Sequence, residues 1–214
     1  MIGEDALLPA GRLREPERGK NRANIVIVTK CPPNMKPMDY RIINKQMELF
    51  PYQKLYFSTL TYDELTPLKH EKEGLPLTTR PLSSLEKDEK LLLLTGIASP
   101  KQLLQDLEQY TSHIETATYP DHHNFTAKDI AHVKKRFEQM GEGKKIIITT
   151  EKDATRLINH PHLDEALKDS IYILPVKIEF LLEQQESFNE NITSYVRANS
   201  RNSILHKSKN AHHP

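Results

Sequence analysis

Three clusters along the chain combine residue types that could handle a phosphoryl group. The first, Asp121-His122-His123-Asn124, stands directly before a run with strong helix-start signals. Free backbone N–H groups at a helix start favour anions, so the carboxylate, imidazoles and amide gather where a phosphate would be welcome. An imidazole beside a carboxylate is oriented and made more basic, as a proton carrier or phosphate ligand requires. A polar loop that merely caps the helix uses the same residues, and their chemistry alone leaves both readings open. The second cluster is Thr149-Thr150-Glu151-Lys152-Asp153, in which hydroxyls, a cation and two acids follow an apolar run. Thr149, Thr150 and Lys152 suit contact with a nucleotide or phosphate, although a helix cap with a solvated first turn is the favoured reading. The third is Leu-Pro-Ala-Gly-Arg-Leu-Arg-Glu-Pro at 8–16, which sets Arg12, Arg14 and Glu15 in a proline-flanked loop. A guanidinium fork can grip phosphate with two bonds, so the loop suits a sugar phosphate; an entry strap bearing surface charge would look the same.

The elements that must position these clusters alternate between β and α. Ile25–Val28, Leu55–Phe57, Leu91–Leu94, Ile146–Ile148 and Ile171–Leu174 are short apolar runs bounded by polar or turn residues, and Thr116–Tyr119 suggests a further short strand. The continuous β-branched run Ile25–Val28 reads as a strand buried on both faces. Helices fit between them: Pro37–Leu49, a segment opened by Ser99-Pro100, one capped by Thr126 and Asp129 and stopped by Gly141, and one opened by Thr150 with Asp153 three residues on. Phe125 and Ile130 sit at hydrophobic-staple positions of the third helix. The pattern predicts an α/β fold, a mostly parallel sheet flanked by helices, in which ligands bind beyond the carboxyl ends of the strands. Residues 61–89 are polar, interrupted by Pro67, Pro76 and Pro81, and read as a long surface excursion. The organisation expected is a strap over 1–24, an α/β domain over 25–185, and a weak helix with a disordered polar tail over 186–214.

Composition narrows the function. The 214 residues carry 30 Lys and Arg against 29 Asp and Glu, for a formal net charge of +1. No strong field calls for nucleic acid, and the basic residues are scattered among acids. Cys31 is the single cysteine, which rules out an internal disulfide and fits a cytosolic setting; it reads as an unreactive small residue. No apolar run is long enough to span a bilayer, which takes about 20 residues, so the chain as given reads as soluble. A Walker A loop, Gly-x-x-x-x-Gly-Lys-Ser/Thr, does not occur: Gly143-Lys144 is preceded by Glu138 at the first glycine position and followed by Lys145. The histidines show no metal-ligand spacing supported by other ligands, and no metal site is expected in this chain.

Taken in order, the clusters resemble the tetraacyldisaccharide 4′-kinase family. The signatures are 8–16, the Val-Ile-Val-Thr-Lys strand at 26–30, Thr-Gly-Ile-Ala at 95–98, Tyr-Pro-Asp-His-His-Asn-Phe at 119–125 and Ile-Thr-Thr-Glu-Lys-Asp-Ala at 148–154. The resemblance runs from about Leu7 to about Phe180. It implies a P-loop α/β kinase of lipid A assembly, working at the cytoplasmic face of the Gram-negative inner membrane. ATP with Mg²⁺ would be the phosphoryl donor and an acylated glucosamine disaccharide 1-phosphate the acceptor. The family's membrane-anchoring helix, Walker A loop and acidic Mg²⁺-binding segment belong to an amino-terminal half that this sequence does not contain. The segment Met1–Asp5 accordingly reads as an internal or alternative start. By the same resemblance His122 with Asp121 is the catalytic candidate, tuning a base Asp of the other half or contacting the transferred phosphate. Arg14 and Glu15, with Arg12 and His123, become candidates for holding the substrate.

Two rivals remain on the sequence. Asp121-His122-His123 also matches the triplet of metal-dependent Asp-His-His phosphoesterases, although no Asp-x-Asp stands upstream. A non-catalytic module binding a nucleotide or a partner is the other.

Overall fold

Four consecutive leucines, Leu91–Leu94, are all buried, and the period of a strand explains how. Leu92 and Leu94 pack into one apolar cluster, Leu91 and Leu93 into another. Alternate side chains point to opposite faces of a sheet, so an unbroken apolar run is the mark of a strand covered on both sides.

The computed structural model describes residues 6–69, 78–98 and 100–209, which form two compact units, Tyr62–Lys177 and Met1–Thr61 with Ile178–Pro214. In Tyr62–Lys177, strands β3 (Thr66–Pro67), β4 (Lys90–Thr95), β5 (His113–Thr118), β6 (Lys145–Thr150) and β7 (Ile171–Leu174) form a sheet in the order β3-β7-β6-β4-β5. β4 to β7 are parallel; β3 runs antiparallel to β7 at the edge. Helix α2 (Lys101–Leu107), with Leu82 and Leu85, covers the face of Leu91 and Leu93. Helices α3 (Ala127–Gln139), α4 (Glu151–Leu157) and α5 (Glu165–Lys168) cover the other. The mostly parallel α/β sheet expected from the alternation is therefore present.

Local signals explain the best-defined helix. The Thr126 hydroxyl accepts from the Asp129 N–H, and the Asp129 carboxylate accepts from the Thr126 N–H, a reciprocal capping box. Phe125 and Ile130, at the staple positions, are both buried in the same cluster. Gly141, at φ +76°, lies just past the end, where a left-handed residue stops a helix. Ser99, the cap expected for α2, lies outside the described residues; the N-cap position of that helix is Pro100.

The segment 61–89 differs from the expected surface excursion. A second strand runs on to Tyr62, β3 follows, and Leu65, Leu68, Leu82 and Leu85 are buried. Isolated leucines among prolines have no periodicity, so their burial could not be read from spacing. Pro67 is tolerated because β3 is an edge strand. Arg80 donates to both carboxylate oxygens of Glu89, at 2.7 and 2.6 Å, and Glu89 is only 2% exposed. Burial pushes this carboxyl up, but the Arg80 bonds outweigh it and hold the group below its ordinary range.

In the other unit, β1 (Ile25–Val28) runs parallel to β2 (Lys54–Tyr62), and β8 (Val176–Phe180) completes the order β1-β2-β8. β1 is not buried on both faces as its composition suggests: among the described residues it is an edge strand, and Ile27 is exposed. Helix α1 (Pro37–Met47) starts with proline at its first position, as expected. Cys31 is buried, and burial pushes its thiol up, as suits an inert residue.

Helix α6 (Gln185–Lys209) replaces the disordered tail expected beyond Arg197. Its composition is polar, but no Gly or Pro interrupts it, and its first turns are anchored. Phe188 stacks on Phe180 at 4.4 Å between centroids, and Asn191 donates to the Tyr56 hydroxyl at 2.7 Å. The single α/β domain expected over 25–185 is thus divided at about Thr61 and Ile178 between the two units.

Candidate functional site

Connections leave β4 and β6 in opposite directions. β4 leads through α2 to β5 on one side, and β6 through α4 and α5 to β7 on the other. The crevice beyond the carboxyl ends of such neighbouring strands is the usual ligand position in an open α/β sheet. Gly96, following β4, and the first turn of α4, following β6, meet there, with the 119–126 loop after β5 beside them.

Asp153 ties the first two together. It is 0% exposed. Its Oδ2 accepts from the Gly96 N–H at 2.9 Å and from the Thr150 hydroxyl at 2.7 Å, while the Asp153 N–H donates to that hydroxyl at 3.2 Å. Arg156 Nη1 stands 3.5 Å from Oδ1. The first turn of α4 is therefore solvated only at Glu151 and Lys152, not throughout as the cap reading had it. A Cβ at Gly96 would lie 3.0 Å from Asp153 Oδ1, 3.3 Å from the Pro120 carbonyl oxygen and 3.7 Å from His123 Cβ. Only glycine lets the turn after β4 seat between α4 and the histidine loop without displacing one of them.

The two adjacent histidines part company. His123 turns inward: its ring stacks on Tyr119 at 4.9 Å and 17°, and its Nε2 stands 2.9 Å from Asp129 Oδ2. A carboxylate only accepts, so the proton of that bond sits on Nε2. The same Oδ2 accepts from the Thr126 N–H at 2.8 Å and the Thr126 hydroxyl at 2.7 Å. These bonds, His123's foremost, pull the Asp129 carboxyl down to about 2. Burial, with the Asp129 charge adding, pushes the Tyr119 phenol up.

His122 turns outward, with 73% of its side chain exposed. Its φ of +61° lies in the left-handed region, which His visits more readily than most residues. Its Nε2 stands 3.4 Å from Lys152 Nζ and 3.6 Å from Asp121 Oδ2. Lys152 donates to Asp121 Oδ1 at 2.5 Å, and the His122 N–H donates to the same oxygen at 3.0 Å. The Lys152 bond is the main reason the Asp121 carboxyl is held below its ordinary range. An ammonium, a carboxylate and an imidazole thus share one accessible spot, where they can bind an anionic oxygen and relay a proton. Geometry chooses between the imidazoles where the sequence did not: His122 is the accessible one.

Of the expected nucleotide contacts, Thr149 is fully buried and Thr150 is engaged as the helix cap; Lys152 alone keeps a reachable polar atom. A two-metal centre finds no support, because Lys152 already occupies Asp121 and His123 is turned to Asp129. Among the described residues no group of three or more His, Cys, Asp or Glu is placed to hold a metal ion.

The basic loop belongs to the other unit. Leu8 N–H to Leu13 O at 2.8 Å and Leu13 N–H to Ala6 O at 3.0 Å close it on itself, with Arg12, Arg14 and Glu15 exposed. Glu15 pairs with Arg22. Beside them Glu15, Pro16, Arg18, Gly19, Asn21 and Arg22 line a hollow of about 490 Å³.

The model of the family described as tetraacyldisaccharide-1-P 4'-kinase matches residues 1–197. The chain belongs to the tetraacyldisaccharide 4'-kinase family. A tetraacyldisaccharide 4'-kinase of Phocaeicola vulgatus is 58% identical over 203 residues, covering 95% of this chain and 54% of the relative. One of Bacteroides fragilis is 52% identical over 212 residues, covering 99% and 56%. One of Porphyromonas gingivalis is 31% identical over 201 residues, covering 92% and 54%. The chain thus spans about half the length of the curated relatives it matches, corresponding to their carboxy-terminal portion. No solved structure matches it. All three clusters lie within the part matched to the tetraacyldisaccharide 4'-kinase family.

Sequence reasoning overlooked two residues that shape this site. Asp129 was read only as a helix cap, and its bond to His123 spans a six-residue spacing with no periodic signature. Asp153 was read as solvated, although a Thr-x-x-Asp cap facing a glycine turn of a neighbouring strand is a pairing that only the sheet order reveals.

Proposed function

We propose that this chain is the carboxy-terminal part of a kinase that moves the γ-phosphoryl of ATP to the 4′-hydroxyl of a tetraacyl glucosamine disaccharide 1-phosphate. The setting is lipid A assembly at the cytoplasmic face of the Gram-negative inner membrane. The observation that carries the reading is the exposed Asp121–His122–Lys152 cluster at the carboxyl ends of the parallel strands, in a chain whose family match spans residues 1–197. Phosphoryl transfer depends mostly on positioning and charge neutralisation, which an imidazole, a carboxylate and a cation can supply without covalent chemistry.

His122 is the candidate catalytic group, tuning a carboxylate base or touching the transferred phosphate, and Asp121 orients it. Arg12, Arg14 and Glu15 are candidates for gripping the sugar phosphate, and His123, whose side chain is 25% exposed, is a separate candidate for holding the substrate. Lys152 is the remaining candidate for the nucleotide. The sequence has no Walker A loop, and the described residues offer no carboxylate cluster for a metal. We assign triphosphate binding, Mg²⁺ binding and membrane contact to the amino-terminal half of such a kinase; among the described residues no helix is long and apolar enough to cross a membrane.

The test is radiolabel transfer from γ-labelled ATP to the disaccharide 1-phosphate. The purified chain alone is expected to give none. Mixed with the amino-terminal half of the Phocaeicola vulgatus relative, it is expected to restore transfer, and His122→Ala to lower it at least about 100-fold. Turnover by the chain alone, or full activity of the His122→Ala mixture, would overturn the reading.

A further inference from the structure

Lys152 is the one nucleotide candidate with a reachable polar atom, yet its ammonium is already engaged. Nζ donates to Asp121 Oδ1 at 2.5 Å and lies 3.4 Å from His122 Nε2. Its stem rises from the first turn of α4, whose neighbouring residue Asp153 is fully buried and bonded to the Gly96 N–H. The base of the lysine is thus anchored to the sheet while its tip reaches across to the loop after β5.

We propose that Lys152 is a positioning residue that holds Asp121 and fixes His122 as the tautomer with its proton on Nδ1. An ammonium has three donors and no acceptor. Placed against Nε2, it requires that nitrogen to offer its lone pair, which leaves the proton of a neutral imidazole on Nδ1. Asp121 Oδ2, 3.6 Å from the same nitrogen, favours the opposite arrangement, with Nε2 as donor. The shorter contact belongs to Lys152, and Lys152 also ties down the other oxygen of that carboxylate, so the lysine decides the contest.

The consequence bears on the proposed reaction and rests on that reading. With Nε2 occupied by Lys152, the free edge of the ring presents an N–H, so His122 meets an oxygen of the transfer site as a hydrogen-bond donor. Removing Lys152 releases Nε2 to Asp121 and turns that free edge into an acceptor. The same residue in contact with ATP would instead be a binding group, and the two roles separate in measurement.

The first experiment needs no kinase activity. In the uniformly ¹⁵N-labelled chain, long-range ¹H–¹⁵N correlation of the imidazoles reports which nitrogen carries the proton, with the His122 signals assigned by their loss in His122→Gln. At a pH where the ring is neutral, the wild-type chain is expected to show His122 protonated on Nδ1. Lys152→Met is expected to move the proton to Nε2, and Lys152→Arg, which restores a donor, to move it back. His123, bonded to Asp129, serves as the internal control and stays protonated on Nε2 throughout. A wild-type spectrum with His122 protonated on Nε2 overturns the proposal before any variant is made, and an unchanged tautomer in Lys152→Met overturns it as well. The second experiment uses the mixture with the amino-terminal half of the relative. Lys152→Met is expected to lower kcat at least about 10-fold with KM for ATP within about twofold of wild type, whereas a rise in KM at constant kcat assigns Lys152 to the nucleotide and refutes the positioning role. Absence of transfer by the wild-type mixture counts against the kinase reading alone, since the tautomer is read without it.

Discussion

Replacing Asp129 with Asn keeps the side chain's shape and removes its charge. In the folded chain Asp129 Oδ2 accepts from His123 Nε2, the Thr126 N–H and the Thr126 hydroxyl. Hydrogen bonds to an ionised acceptor are about twice as strong as neutral ones, and here they lower the carboxyl from 3.8 to about 2. At about 1.4 kcal/mol per unit, that drop corresponds to about 2 kcal/mol of stability carried by the charged form. The side chain is 21% exposed, so solvent screening trims this to about 1–2 kcal/mol. The sign follows from the direction of the shift. A carboxyl depressed on folding contributes fully above its unfolded value near 4, and the contribution is lost as pH falls from there through about 2. Urea unfolding followed by circular dichroism at about pH 7, 5 and 3 should therefore find Asp129→Asn less stable by about 1–2 kcal/mol at the two higher values, with a smaller gap at the lowest. A variant as stable as wild type at neutral pH, or a gap constant down to pH 3, would refute the argument that the charge, and not the shape, secures the start of α3 and His123.

Three further substitutions probe the frame around the site. Gly96→Ala puts a methyl 3.0 Å from Asp153 Oδ1 and 3.3 Å from the Pro120 carbonyl oxygen; it should cost about 1–3 kcal/mol in urea unfolding and shift the amide signals of 120–123. Arg80→Met leaves the Glu89 carboxylate, 2% exposed, without its bidentate partner. It should cost about 3–5 kcal/mol, and the double variant Arg80→Met with Glu89→Leu should recover part of the loss. Leu92→Ala empties a fully buried position and should cost about 2–5 kcal/mol by the same measurement.

β4, β6 and β7 were legible because they are short apolar runs ended by Thr, Gly or Pro, and α3 because its cap, staple and stop all agree; β5, less apolar, was expected only over Thr116–Tyr119, and β3 not at all. β8, absent from the sequence reading, follows Leu174-Pro175 directly, and its alternation Val-Lys-Ile-Glu-Phe is too short and too charged to stand out beside the apolar run before it. Leu65 and Leu68 were lost among prolines, since burial that depends on partners distant in sequence leaves no local period. The polar composition after Glu183 argued for disorder, yet a helix needs only freedom from Gly and Pro and an anchor at one end; Phe188 against Phe180 and Tyr56 supplies the anchor. The three candidate clusters were found by residue type, two of them also by their place after strands and the loop 8–16 by its flanking prolines. Their internal wiring was not, because whether Thr150, Asp153 or Lys152 faces the helix, the glycine turn or the histidine loop depends on which strands are neighbours.

The Asp-His-His triplet shows why adjacency in sequence is a poor guide to shared chemistry. Two consecutive residues of a loop rarely direct their side chains alike, and here the first of them, His122, has a left-handed backbone at φ +61°. One imidazole is drawn into a stack on Tyr119 and a hydrogen bond to the carboxylate of a helix cap; the other is left at the surface between a lysine and a carboxylate. The rigid half is what makes the open half useful. His123 is fixed through Asp129 to α3 and abuts Gly96, and Gly96 is fixed through Asp153 to α4, from which Lys152 extends. The exposed cluster is therefore fastened at both ends to helices packed on the same face of the sheet. An imidazole that is to meet an anionic oxygen with one chosen nitrogen needs such an attachment, because a freely rotating ring at the surface would present both nitrogens.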